Sequence, residues 1–400
     1  MTVKKEGNAL GEVIKRGYYS IFYEVWPLWL GGILIGTTSI ITFAWARPWG
    51  VAGGLRNWGD WFLTLIGVYD KAPMSPLLSS NSILDLGLLW GAFIAAIMAK
   101  EFVLRLAPPP ELFKAFVGGI LMGIGATLAG GCNVGGFYTS ISAMSMSGIA
   151  MTVGLVVGTY IGLKYVYWEA KILPGWKSQP IEEAVIDEDK WFHGGSLIGL
   201  VMIGLALIAA WQYNENAYTR TGGLLLCGMA FGFFIQRSRF GFVRAFRDII
   251  KNGEGQAARA IIISIAISML GFTLIKFIGL RGEEAYVSQA FGLGGLAGGL
   301  IFGFGMVIAE GCGSGSLRHA GEGHIKFMVA VFGFSLASSL FRRWLRSSDE
   351  LMSYMGSRTY LPDIVSYKSA LTIMLLGMLV VYVIIAWNEI TRKFVVKAPK

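Results

Sequence analysis

The chain has 400 residues, of which 54% are hydrophobic and 15% charged, with 55 glycines, three cysteines and a formal charge of +9. Soluble globular proteins carry roughly a quarter of their residues as charges and need them to cover their surface. The balance here therefore excludes a soluble multidomain protein, a disordered chain, a coiled coil and a nucleic-acid-binding domain. Three cysteines are too few for a disulfide scaffold.

Residues 1–20 are polar and mixed in charge, with Lys4, Lys5, Glu6, Glu12, Lys15 and Arg16. No short apolar core with a small-residue cleavage site comes first, so a cleavable signal peptide is not expected. Apolar runs follow at 26–45, 83–99, 114–130, 148–168, 193–212, 222–236, 258–280, 290–310, 325–341 and 368–387. A helix needs about 20 such residues to cross a bilayer. The expected fold is an all-α polytopic membrane protein of about ten apolar helices, the shorter ones broken or partly crossing beside glycine-rich stretches. Segment 47–82, with Trp49, Trp58 and Trp61, is expected to lie partly in the membrane interface. Segment 169–192, with Glu182, Glu183, Asp187, Glu188 and Asp189, reads as a solvated linker between a first half at 21–168 and a second at 193–387.

Both tails are basic, the second (388–400) through Arg392, Lys393, Lys397 and Lys400. Ten crossings place both in the cytoplasm, together with the loop 237–259 and its Arg237, Arg239, Arg244, Arg247, Lys251 and Arg259. The stretch 131–147 has no Lys or Arg and falls outside. Arg342, Arg343 and Arg346 contradict this count, because they also fall outside.

The most specific signal is an internal repeat. Residues 118–137, GGILMGIGATLAGGCNVGGF, align without gaps on 298–317, GGLIFGFGMVIAEGCGSGSL, and eight of twenty positions are identical. Five crossings lie between the copies, which inverts one relative to the other, a common transporter plan with the site where glycine-interrupted segments meet. The plain alternative is that spacings such as Gly119–Gly123 let helices pack closely and that each cysteine is a small hydrophobe.

The candidate pathway residues are Cys132, Gly131, Asn133 and Gly135 in one copy and Cys312, Gly311, Gly313 and Gly315 in the other. Bare backbone allows close approach and can aim N–H groups at an anion. A thiol is a weak donor and a soft acceptor, suited to a sulfur or selenium atom. Cys227, in GGLLLCGMAFGFF, lies outside the repeat and reads as packing. His319 and His324, in RHAGEGH, with Arg318 and Glu322, read as a polar helix start or a proton or substrate site. No CxxC pair or Walker A loop is present, so neither thiol redox work, a cysteine metal site nor ATP-driven pumping is expected, and no cofactor or metal is implied.

The Gly-Cys repeat, the run IQRSRFGFVRAFRDI at 235–249 and Gly321-Glu322-Gly323 together resemble the YeeE/YedE family over about residues 85–387. Length and linker look most like its YedE branch. The resemblance implies a transporter, not an enzyme. It would be an inverted-repeat inner-membrane protein taking up a small sulfur anion, thiosulfate first and a selenium species second, through Cys132 and Cys312. It also implies a cytoplasmic TusA-like sulfurtransferase as partner, docking near 237–259. Gly241 stands where the family often has a third cysteine, which puts a three-thiol relay in doubt: either two thiols suffice, Cys227 substitutes from a nearby helix, or the substrate differs. Arg237 is, with Cys227, Arg318 and Glu322, a secondary candidate. A membrane sulfurtransferase carrying persulfide on the same cysteines is the alternative.

Overall fold

In lipid each backbone N–H and C=O must be satisfied within its own segment, so the apolar runs become helices. The computed structural model describes residues 13, 16–172, 194–216, 218–282, 286–288, 290–347 and 355–396. The charged linker residues 182–189, His193, Lys4, Lys5, Glu6, Glu12, Lys15, Lys397 and Lys400 lie outside these. The helices are α1 (Leu28–Trp45), α2 (Ala52–Leu65), α3 (Ser80–Met98), α4 (Pro109–Leu128), α5 (Met146–Ile172), α6 (Gly194–Glu215) and α7 (Thr219–Ser238). They continue with α8 (Phe242–Lys251), α9 (Gln256–Phe277), α10 (Leu293–Ala309), α11 (Gly313–Gly321), α12 (Ile325–Arg346), α13 (Leu361–Val365) and α14 (Tyr367–Thr391). Between α4 and α5, a π-helical turn at Asn133–Thr139 runs into the short helix Ser140–Ser142. No strand occurs among the described residues.

The protein is an all-α polytopic membrane protein: nine of the described helical segments are long and apolar enough to cross a bilayer. Helix α7, the remaining apolar run, misses that mark because Arg220, Gln236 and Arg237 occupy its ends.

Glycine sets the helix contacts. Gly119 and Gly123 of α4 lie against the backbone at Ala330 and Phe334 of α12, and Gly154 and Gly158 of α5 against Leu296 and Leu300 of α10. Gly118 faces Gly305 while Gly125 faces Gly298, so α4 and α10 run antiparallel. Gly32 and Gly36 of α1 meet Ala260 and Ser264 of α9, and Gly228 and Gly232 of α7 meet Leu84 and Leu88 of α3. A Cβ at these positions would collide with the facing chain. Small residues here permit the close helix approach that drives packing in lipid. The packing reading of Gly119 and Gly123 is the correct one.

Two lysines of the spans are paired with carboxylates, as burial in lipid favours. Lys326 reaches Glu310 at 2.7 Å and Glu111 at 3.3 Å, and Lys114 reaches Glu169 at 2.7 Å.

Three expectations change. Trp49 is not interfacial: it is 1% exposed, stacked on Tyr138 and edge-on to Phe231, because the chain before α2 dives inward. The 131–147 stretch, expected on the outer side for want of Lys or Arg, is a nearly continuous buried segment. The basic loop 237–259 is mostly consumed internally: Arg237 and Arg239 face Glu101, Arg244 and Arg247 face Asp248, and Arg259 faces Glu389.

Candidate functional site

The two Gly-Cys motifs adopt the same local backbone. Each cysteine is the extended residue before a short helix, with φ/ψ of −77°/−171° at Cys132 and −97°/−178° at Cys312. Each carbonyl accepts from the N–H four residues on, Gly136 N–H to Cys132 O and Ser316 N–H to Cys312 O, both at 2.7 Å. Two residues before each cysteine the chain turns left-handed, at Gly130 (φ +72°) and at Glu310 (φ +58°). That conformation favours glycine, and the second copy holds a glutamate there with the Lys326 ion pair as its anchor.

The structure brings the two motifs together. A Cβ built on Gly313 would lie 3.7 Å from Cys132 Sγ and 3.4 Å from Val51 Cγ1. Around the Cys132 thiol stand the backbone N–H groups of Val51, Ala52, Val134 and Gly135. The first two belong to the start of α2, where helix termini leave N–H groups without intrahelical partners. Cys312 Sγ accepts from the Gly315 N–H at 3.4 Å and lies 3.6 Å from the Ser314 hydroxyl. Both cysteines are buried. Cys132 is thus a soft atom ringed by N–H donors and Cys312 one that meets a single N–H and a hydroxyl, with no lysine, arginine or histidine within five residues of either in the chain.

The flanking residues divide by role. Gly131 lies against the Gly136 backbone, and Gly311 against the Phe327 ring and Ser316 hydroxyl, so neither has room for a side chain. Gly135 has open space in front of it, and Gly315 faces Cys312 Sγ at 3.3 Å. Asn133 is fully buried; its Nδ2 donates to Met306 Sδ at 3.3 Å.

Gly130, Gly131 and Gly135 form the floor of a cavity of about 270 Å³ whose walls include Gly50, Thr127 and Ser338 and, unforeseen in the sequence, Arg47, Arg56 and Arg342. A second cavity of about 470 Å³ shares Arg56 and Arg342 and adds Asp60, Tyr69, Arg343 and Arg346. The smaller one lies below the roughly 300–1,000 Å³ of drug-sized sites and suits a small hydrated ion. Arg342, Arg343 and Arg346 belong to the last turns of α12 and line these cavities, which is why a loop-charge count misread them. Arg342 had marked itself in the sequence only by breaking the orientation rule.

On the other copy the charges are closed on one another. Arg318 pairs with Glu322 at 3.1 Å, and His319 Nδ1 meets Glu322 at 2.8 Å and stacks on Phe327 at 4.4 Å. Burial alone would raise the Glu322 carboxyl, but the Arg318 charge and the His319 hydrogen bond hold it down at about 2. Burial, with His319 beside it, pushes His324 down to about 4. The ligand atoms of His319, Glu322 and His324 lie within 4.8 Å of one another, yet Arg318 and Arg105 press on the same atoms, so a cation is poorly received. Arg237 is 1% exposed and donates to the Glu24 carbonyl at 2.9 Å, tying the chain before α1 to α7. Cys227 faces Thr42 of α1 rather than a Gly-Cys segment. Gly241, the residue before α8, has only Arg244 Cγ at 4.0 Å from a built Cβ.

The chain matches the family described as "Sulphur transport" over residues 6–161 and 237–400. It is 30% identical over 307 residues to the "Probable transporter YedE" of Escherichia coli (strain K12), covering 73% of this chain and 74% of that protein. It is 39% identical over 120 residues to the "Thiosulfate transporter TsuA" of the same organism, covering 30% of this chain and 33% of that one. The TsuA of Spirochaeta thermophila is 32% identical over 126 residues, 30% of this chain and 38% of its own.

Proposed function

Because the chain belongs to the sulphur transport family, YeeE/YedE, we propose that it takes up a small sulfur anion, thiosulfate foremost, across a bacterial inner membrane. The observation that carries this reading is the meeting of the two Gly-Cys segments beneath an arginine-lined cavity. The anion is gathered by Arg47, Arg56 and Arg342, sheds water onto the N–H groups at the start of α2 and around Cys132, and presents its terminal sulfur to the Cys132 thiol. It then passes Gly313 to Cys312. N–H dipoles stabilise the charge without a fixed cation that would hold the ion, and weak S–H contacts allow it to leave, as conduction requires.

In this reading 21–168 and 193–387 form two inverted halves, and the antiparallel α4 and α10 with their matched partners support that plan. Both tails face the cytoplasm, which puts the arginine-lined cavities outside. A selenium anion would use the same contacts. The cysteines act as neutral contacts rather than nucleophiles, since no base or cation sits beside either thiol to activate it.

A dianion entering a cell held at −100 mV works against about 2.3 kcal/mol per charge. Capture of the arriving ion by a TusA-like sulfurtransferase at the cytoplasmic face would drive uptake forward. Lys251, exposed at the end of α8, is the basic residue of 237–259 best placed to meet it. Proteoliposomes containing the purified protein, with no partner and no pH gradient, should exchange thiosulfate without concentrating it. Accumulation under those conditions ends the trapping idea, and absence of any thiosulfate flux ends the substrate assignment.

A further inference from the structure

The left-handed residue two places before each cysteine is Gly130 in one copy and Glu310 in the other. A side chain at φ +58° costs backbone energy that a glycine would not, and strain of this kind gathers at functional positions. Glu310 pairs with Lys326, which also reaches Glu111. The Glu310 side chain is 30% exposed, against 9% for Lys326 and 8% for Glu111. Of the three, Glu310 is the one that meets water.

The other copy has nothing like this triad. In the ungapped alignment Glu310 falls on Gly130, and the same offset of 180 residues sets Lys326 on Met146 and Glu111 on Phe291. Gly130 lines the arginine cavity, whose Arg47, Arg56 and Arg342 form no ion pair among the described residues. Those guanidinium groups can turn to an anion. Lys326 cannot do so readily, because Glu310 holds it at 2.7 Å and Glu111 at 3.3 Å. Arg318, six residues after Cys312, is likewise taken up by Glu322 at 3.1 Å.

We propose that Glu310 sets the release of the anion. It occupies Lys326 and places a carboxylate two residues from Cys312, so that the mouth on this side binds thiosulfate weakly while the arginine mouth binds it well. This rests on the anion reading of the pathway and on the orientation given with it. An anion that reaches Cys312 meets a like charge ahead and finds Lys326 already paired, so it leaves for the cytoplasm instead of lodging. Without the Glu310 carboxylate, Lys326 would turn to the anion and hold it. A tie between α10 and α12 that served only the fold would make no difference between the two faces.

The test is thiosulfate uptake into right-side-out and inside-out membrane vesicles carrying the full chain, at zero membrane potential, with half-saturation read at each face. The wild type should need a concentration about tenfold or more higher at the cytoplasmic face, the effect of a like charge beside a binding site. Glu310→Gly, which suits the left-handed backbone, should fold, lower the cytoplasmic half-saturation by about tenfold and leave the outer one within about twofold. Equal or reversed half-saturation at the two faces of the wild type overturns the proposal. So does a Glu310→Gly protein whose two faces shift together or not at all, which leaves Glu310 as a tie within the fold. If Glu310→Gly does not fold, Glu310→Gln keeps the size and removes the charge, and its cytoplasmic half-saturation should fall in the same way; no fall in that variant overturns the proposal. Absence of thiosulfate flux from either face of the wild type instead ends the anion reading, and this inference with it.

Discussion

The two Gly-Cys segments share a backbone and differ in their charges. At Cys132 the segment opens onto a cavity lined by Arg47, Arg56 and Arg342, next to a second cavity with Arg343, Arg346 and Asp60. At Cys312 the arginines are closed in pairs, Arg318 with Glu322 and Arg237 with Glu101. The two segments share the buried thiol, the extended backbone before a short helix and the small residues that let two chains touch. In the pathway proposed above, the first segment is the mouth that gathers the anion and the second is the mouth that lets it go. A pathway through a membrane needs that asymmetry, since favourable capture at both ends would slow release.

Substitutions can break this comparison. The largest effect is expected at the thiols: Cys132→Ala should lower thiosulfate uptake by about tenfold or more, since narrow-site conduction depends on each contact, and Cys312→Ala should follow. Uptake unchanged in both would make the cysteines packing residues. Next, Arg342→Met should raise the half-saturating concentration by about ten- to a hundredfold, the loss of a charge-assisted contact of roughly 1.5–3 kcal/mol, and the difference should shrink in high salt. Arg318→Met should instead lower the melting temperature with a smaller change in half-saturation. An equal affinity loss at both positions would erase the distinction between the mouths.

Two glycines sharpen it further. Gly131→Ala runs into the backbone at Gly136 and should destabilise by about 1–3 kcal/mol, seen as loss of folded yield. Gly135→Ala meets open space and should fold normally while reducing flux. Gly241→Cys should also fold, since a Cβ there touches only Arg244; a gain in uptake would show that a third thiol adds to the path.

The smallest effect concerns acid. His324, held near 4 against an ordinary 6.5, is neutral when folded, so the unfolded chain takes up its proton first as pH falls from 6.5. Glu322, held near 2 against 4.5, contributes stability that is full above 4.5 and lost as pH falls toward 2. Both make the melting temperature drop on acidification. His324→Gln should flatten the curve between pH 6.5 and 4, and Glu322→Gln the part below 4.5. A melting temperature that rises on acidification contradicts both assignments.

Glycine shows what a sequence leaves open. Gly131 and Gly135 sit in a Gly-Cys segment, while Gly119, Gly123, Gly154, Gly158, Gly228 and Gly232 hold helices together. A glycine is read the same way in a sequence whether a ligand or a helix lies against it. Trp49 misled for a similar reason: an aromatic near a span end is either an interface anchor or a core ring, and only its neighbours Tyr138 and Phe231 decide.

The sequence by itself determined that this chain lives in lipid, that its helices number about ten, and that a Gly-Cys motif occurs twice. Those are properties of composition and order, set by what a bilayer tolerates along a single segment. The tertiary structure alone decided that the two motifs touch, that Arg47, Arg56 and Arg342 converge over one of them, and that Cys227 and most of the 237–259 arginines are turned to other work. Convergence of residues nearly 300 positions apart depends on how helices pack, and packing is written in pairs of surfaces that no single stretch of sequence contains.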